Sequence, residues 1–122
     1  MAKTIMIIDD SASVREAVTT LLEGAGFAVL QATDGQEAID LLTGRKVHLI
    51  ICDVNMPNMD GITFVTTIKQ SAHYKFTPIV MLTTESHEAK KRQGQAAGAK
   101  AWVVKPFKPE QMLNAVQRLV LP

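Results

Sequence analysis

Four places in the chain set a reactive side chain directly after a short apolar run. Ile5-Met6-Ile7-Ile8 is followed by Asp9-Asp10, and His48-Leu49-Ile50-Ile51-Cys52 by Asp53. Ile79-Val80-Met81-Leu82 is followed by Thr83-Thr84, and Ala101-Trp102-Val103-Val104 by Lys105-Pro106. If these runs are neighbouring strands, three carboxylates converge at one edge. Such a group repels itself, and a hard divalent cation relieves the repulsion. Magnesium suits carboxylate oxygens completed by water and a phosphate oxygen. Nothing resembles a looped calcium site, and no His/Cys cluster suggests zinc. An aspartate beside such an ion can act as a nucleophile toward phosphorus and form an aspartyl phosphate. Phosphoryl transfer asks mainly for positioning and charge neutralisation, which a lysine ammonium and a threonine hydroxyl can supply.

The elements that must position these groups are legible in the hydrophobic pattern. The apolar runs, together with Ala28-Val29-Leu30, are nearly continuous rather than alternating, as expected of strands covered on both faces. Helical spacing joins Val14, Val18, Leu21, Leu22 and Ala25, with Ser13-x-x-Glu16 as a candidate cap and Gly24 and Gly26 as the stop. A second helix opens at Asp34-Gly35 and ends near Gly44. A third starts near Gly61, a fourth near Glu85 running into Lys90-Lys91-Arg92, and a fifth at Pro109. Five strands alternating with five helices predict an α/β fold with a parallel sheet, right-handed crossovers and a functional crevice at the carboxyl ends of the strands.

The bulk properties exclude several classes. The chain has 122 residues, 47% of them hydrophobic and 20% charged, with a formal net charge of +1. That length predicts one domain, residues 1–122, with no output domain after the fifth helix. The charge balance offers no electrostatic case for nucleic-acid binding or a polybasic membrane anchor. No apolar run is long enough to span a bilayer, and the amino terminus lacks the form of a signal peptide. The lone Cys52 precludes an internal disulfide and fits a reducing compartment, so a cytoplasmic location is expected.

Ile7-Ile8-Asp9-Asp10, Asp53-Val54-Asn55-Met56-Pro57-Asn58-Met59-Asp60-Gly61, Thr83-Thr84-Glu85 and Lys105-Pro106-Phe107 together resemble the two-component response-regulator receiver domain. Within that family they look most like the chemotaxis type. The resemblance spans the chain and implies a flavodoxin-like (βα)5 three-layer sandwich. Its sheet order would be 2-1-3-4-5, an order for which this family is itself a standard example, so it is carried over by resemblance rather than derived. It also implies Asp53 as phosphoacceptor and a Mg2+ ion held by Asp9, Asp10, Asp53 and the backbone carbonyl of Asn55. Lys105 would contact the phosphoryl group, with a cis peptide before Pro106, and Thr83 and Trp102 would form the switch. The implied partners are a CheA-like histidine kinase, a flagellar motor switch protein or another target, and a phosphatase. The protein would be a monomer that takes part in its own phosphorylation and dephosphorylation without being an enzyme acting on other substrates. Three positions depart from the enteric chemotaxis pattern. Val54 stands where a tryptophan is found, Thr84 is bulkier than the common alanine, and Trp102 is larger than the usual tyrosine or phenylalanine.

Plainer readings stand beside these. Asp9-Asp10 could open a helix, Thr83 and Thr84 could cap one, Asp60-Gly61 and Asn58 read as turn chemistry, and Lys90-Lys91-Arg92 reads as a solvated helix face. His48, His73 and His87 show no metal spacing, and Cys52 reads as buried and inert. A receiver in a phosphorelay outside chemotaxis and a scaffold that is never phosphorylated both stay open. A flavodoxin-like electron carrier would need a hydroxyl- and glycine-rich phosphate loop where the chain has Asp9-Asp10. An aspartate phosphatase would carry its nucleophile on the first strand.

Overall fold

The computed structural model describes residues 2–84 and 88–121, with residues 88–90 described by their backbone alone. The order is β1 (Thr4–Ile8), α1 (Ala12–Gly24), β2 (Ala28–Ala32), α2 (Gly35–Leu42), β3 (Leu49–Asp53), α3 (Gly61–Ile68), β4 (Ile79–Thr83), α4 (Glu88–Ala97), β5 (Ala101–Val104) and α5 (Pro109–Leu119). All four strand pairings are parallel and the sheet runs β2-β1-β3-β4-β5, as expected.

The alternation of side chains along each strand sorts the core into two layers. Ile5, Ile7, Leu49, Ile51, Val80 and Leu82 face one side, where Val18 and Leu22 of α1 and Met112 and Val116 of α5 cover them. Met6, Ile8, Ile50, Cys52, Ile79 and Met81 face the other, beneath Ala38 and Leu42 of α2 and Phe64, Val65 and Ile68 of α3. The three central strands are buried on both faces, which is why their residues read as unbroken apolar runs. Each fully buried Ile, Leu or Met contributes about 1.5–3 kcal/mol, enough to hold the strand ends in fixed register. The two outer strands depart from the expected double burial: β2 and β5 are partly exposed because each has a neighbour on one side only.

Three helices start on side-chain caps at the carboxyl edge of the sheet. Asp34 accepts from the Glu37 amide at 2.8 Å, and Asp60 from the Thr63 amide at 2.8 Å. The cap of α1 is Ser11, which accepts from the Val14 amide at 3.3 Å. This corrects the expectation at Ser13, which lies inside the helix. The expected start of α4 at Glu85 falls outside the described residues, as does His87.

Candidate functional site

The ends of β1 and β3 bring three carboxylates together. Asp9 is 0% exposed, Asp53 is 5% exposed and Asp10 faces solvent. Each offers an oxygen within 4.8 Å of the others, the one grouping of metal-ligating type among the described residues. The register explains the convergence. Ile8 pairs with Cys52, so the next residues, Asp9 and Asp53, leave adjacent parallel strands side by side.

Asp9 is held from several directions. Its Oδ1 accepts from the Ser11 amide at 2.9 Å, and its Oδ2 accepts from Lys105 Nζ at 2.8 Å. Arg15 Nη1 donates to its backbone carbonyl at 2.7 Å. These contacts satisfy a buried charge that would otherwise be strongly disfavoured. Lys105 stands 3.6 Å from Asp53 Oδ2, so its ammonium lies between the two buried acids and closer to Asp9. The Lys105-Pro106 peptide is cis, as expected.

Asp53 is the electrostatically frustrated member. Burial, then the negative charge of Asp9 and to a lesser degree of Asp10, pushes its carboxyl up from 3.8 to about 6, while Lys105 and the Val54 amide pull the other way. A carboxylate that ionises only as the pH approaches 6 is one that a cation would stabilise. Oxygen-only donors, three acids in reach and an Asp53 proton affinity raised by burial and by the charge of Asp9 together fit a hard divalent ion.

The backbone around Asp53 requires a glycine at position 61 for more than turn chemistry. The Gly61 amide donates to the Val54 carbonyl at 2.8 Å, drawing the start of α3 onto the end of β3. A Cβ at Gly61 would lie 2.0 Å from the Asp53 carbonyl oxygen, so only glycine permits this approach. Asn58 has φ 68, in the left-handed region, and its Nδ2 donates to Asp34 Oδ2 at 2.9 Å. The turn reading of Asn58 therefore holds, and the same side chain ties the β3–α3 loop to the cap of α2. Asn55 is exposed two residues beyond Asp53. Cys52 is fully buried, and burial followed by the charge of Asp53 holds its thiol well above its ordinary value, as expected of an inert sulfur.

Thr83 closes β4, is fully buried, and its carbonyl accepts from the Lys105 amide at 2.7 Å. Thr84 follows it and is exposed. Trp102 lies on β5 opposite Met81 and is partly buried. Its ring lies over α4: a Cβ at Gly94 would meet Trp102 Cζ3 at 2.7 Å. Gly94 went unnoticed in the sequence because its meaning depends on a ring delivered by another element. In the basic run, Arg92 is exposed and Lys91 half-buried. Two side chains outside the site make structural ties. His48 Nδ1 accepts from the Thr4 amide at 3.0 Å, a structural tie at the start of β1. Tyr74, not singled out by any pattern, donates its hydroxyl to the Leu42 and Arg45 carbonyls at 2.7 and 2.8 Å.

Comparison with known proteins agrees with this geometry. The family model for the response regulator receiver domain matches residues 5–117. The phosphate regulon transcriptional regulatory protein PhoB of Pseudomonas aeruginosa is 37% identical, over all of this chain and 55% of its own length. The transcriptional regulatory protein SrrA of Staphylococcus aureus is 34% identical over 98% of this chain and 48% of its own. The chain thus spans about half the length of the curated relatives it matches. Among solved structures, chemotaxis protein CheY4 of Vibrio cholerae superposes with a TM-score of 0.94 at 44% identity, covering 98% of this chain and 100% of that one. A putative response regulator of Chloroflexus aurantiacus gives a TM-score of 0.93 at 34% identity over 98% of both chains. With its sheet order, its acidic cluster and a match over nearly its whole length, the chain belongs to the family of response regulator receiver domains.

Proposed function

We propose that this chain is a phosphorylation switch of the chemotaxis type in which Asp53 accepts a phosphoryl group from a histidine kinase. The observation that carries the reading is the buried Asp53 carboxylate, its proton affinity raised, beside Asp9 and within ion-pair distance of the Lys105 ammonium. Asp9, Asp10, Asp53 and the Asn55 backbone carbonyl would hold Mg2+. When bound, the ion supplies charge neutralisation to the acids and to the incoming phosphoryl oxygens.

Asp53 acts as the nucleophile. One carboxylate oxygen forms a bond to phosphorus as the bond from phosphorus to the donor group breaks. Lys105 already sits within ion-pair distance of both acids, so its ammonium can follow negative charge from Asp9 toward a phosphorylated Asp53 without crossing solvent. Thr83 closes the strand next to Asp53 and is the hydroxyl proposed to turn toward the phosphoryl group. Its backbone is bonded to Lys105, so movement at either residue is felt by the other. Trp102 is proposed to report or transmit that movement to the face formed by α4, β5 and α5. The likeness to CheY4 supports a flagellar motor switch protein as target and a CheA-like kinase as donor. We place the protein in the cytoplasm, as a monomer. No helix among the described residues is long and apolar enough to cross a membrane.

The test uses acetyl phosphate with and without Mg2+, followed by intact mass. One adduct that needs Mg2+, is sensitive to hydroxylamine and is absent from Asp53→Asn is expected. An adduct independent of Mg2+, or one retained by Asp53→Asn, contradicts the proposal.

A further inference from the structure

The net charge of +1 conceals a separation of charge along the strands. The ends of β1 and β3 bring Asp9, Asp10 and Asp53 to the carboxyl edge of the sheet, and the caps and first turns of α2 and α3 add Asp34, Glu37 and Asp60, against Arg15, Lys105 and Lys108 on the same edge. The opposite, amino-terminal edge carries Lys3, Arg45, Lys46, Lys75, Lys100 and Arg118, and among the described residues the acidic side chains nearest to it in the chain are Glu23 and Asp40 in the last turns of α1 and α2. Both ion pairs among the described residues belong to Lys105, so the cations of the amino-terminal edge have no carboxylate partner among those residues.

Two apolar features sit within this basic edge. Phe76 is 80% exposed, with Lys75 Nζ 5.5 Å from its ring centroid. Beside its loop is a cavity of about 280 Å3, lined by the apolar Val47, Tyr74 and Leu121 and by the basic Arg45, Lys46 and His73. The loop is built to hold this shape. Lys69 Nζ donates to the carbonyls of Lys75 and Thr77, and the Tyr74 hydroxyl donates to those of Leu42 and Arg45. An aromatic ring left in water on a braced loop, next to a preformed cavity and cations without a carboxylate partner among the described residues, combines the parts of a protein-binding hot spot.

We infer that the amino-terminal edge around Phe76 and the Val47–Tyr74–Leu121 cavity binds an acidic peptide segment of a partner protein, with an apolar side chain in the cavity and its carboxylates on Arg45, Lys46 and Lys75. The cavity is what selects this class. A lipid headgroup or a nucleic-acid backbone could meet the cations, but neither carries an apolar side chain flanked by carboxylates. The site lies at the far end of the strands from Asp53, roughly 16 Å away for a five-residue strand. Binding here therefore leaves the phosphorylation site open and proceeds whether or not Asp53 is phosphorylated.

The test is selection of a random displayed peptide library on the full chain. NMR amide shifts with one selected synthetic peptide then locate its site. Peptides with an apolar residue flanked by Asp or Glu are expected, with shifts at residues 43–48 and 73–77. Arg45→Glu/Lys46→Glu and Phe76→Ala should each weaken the peptide about tenfold or more, with Mg2+-dependent labelling by acetyl phosphate kept as the check that the variants fold. Affinity should be unchanged by acetyl phosphate and Mg2+ and should fall with salt. Four results overturn the inference: no acidic consensus, shifts elsewhere, full affinity in both variants, or binding that requires phosphorylation. Binding of phosphatidylglycerol vesicles or duplex DNA to this edge, uncompeted by the peptide, also overturns it.

Discussion

At the scale of single residues, Asp9 and Asp53 are held in unequal situations. Asp9 has two donors on its carboxylate and Asp53 has a more distant ammonium, so the repulsion between them falls mainly on Asp53. Burial and then the charge of Asp9 raise its carboxyl from 3.8 to about 6, so between about pH 4 and pH 6 the folded chain holds a proton that the unfolded chain has released. This penalty is absent below about pH 4, grows as the pH rises through 6 and is complete above it. Asp53→Asn should thus stabilise the Mg2+-free protein by roughly 1–3 kcal/mol at pH 7.5 and have little effect near pH 4, read by urea denaturation at the two values. Added Mg2+ should stabilise the wild type and do little for the variant. Lys105→Arg should still bind Mg2+ but give a weakened response to phosphodonor, because a planar fork cannot take the place of a compact ammonium between two carboxylates. Magnesium titration alongside the fluorescence response separates the two effects. The members of this cluster were legible in the sequence because each follows a buried run. The inequality among them was not, since it depends on the Ser11 amide and on which acid Lys105 approaches.

At the scale of elements, two glycines decide how helices meet the sheet. Gly61→Ala puts a methyl group against the Asp53 carbonyl, and backbone cannot turn aside as a side chain can. We expect a loss of about 1–3 kcal/mol in stability, together with weaker Mg2+ binding as the β3–α3 loop is pushed off the end of β3. Gly94→Ala is a closer contest. Helix propensity gains about 1 kcal/mol, but the new Cβ would lie 2.7 Å from the Trp102 ring. The ring must move, so near-neutral stability and a shifted emission maximum of the lone tryptophan are expected before any phosphodonor is added. Unaltered emission would show that the ring does not rest on α4. Asp60-Gly61 was legible as a turn because that dipeptide favours one. The need for glycine was not, because it arises from a strand distant in sequence. The misplaced cap of α1 has a similar origin. Ser13 with Glu16 fits a capping pattern, but the Ser11 amide is drawn to Asp9 and the helix starts two residues earlier.

At the scale of the whole molecule, β4 and β5 join the acid cluster to the outer face. Thr83 pairs with Val104 and Met81 with Trp102, so a shift at Thr83 is two residues along one ladder from the ring. Adding acetyl phosphate with Mg2+ should change tryptophan emission in the wild type and leave Asp53→Asn unchanged. Constant emission in both would remove Trp102 from the switch. The order of the sheet and the layering of helices followed from apolar runs and family resemblance. The charge separation between the two edges did not, because a sum of +1 carries no direction until the helices are seen to run back from one edge to the other. The most direct test of the central claim is to locate the modified atom. Protein treated with acetyl phosphate and Mg2+ is reduced with borohydride, which turns an aspartyl phosphate into homoserine, and is then mapped by peptide mass spectrometry. The account predicts homoserine at position 53 alone. Homoserine at position 9 or 10, or a phosphoryl group on Thr83 or a histidine with Asp53 intact, would contradict it.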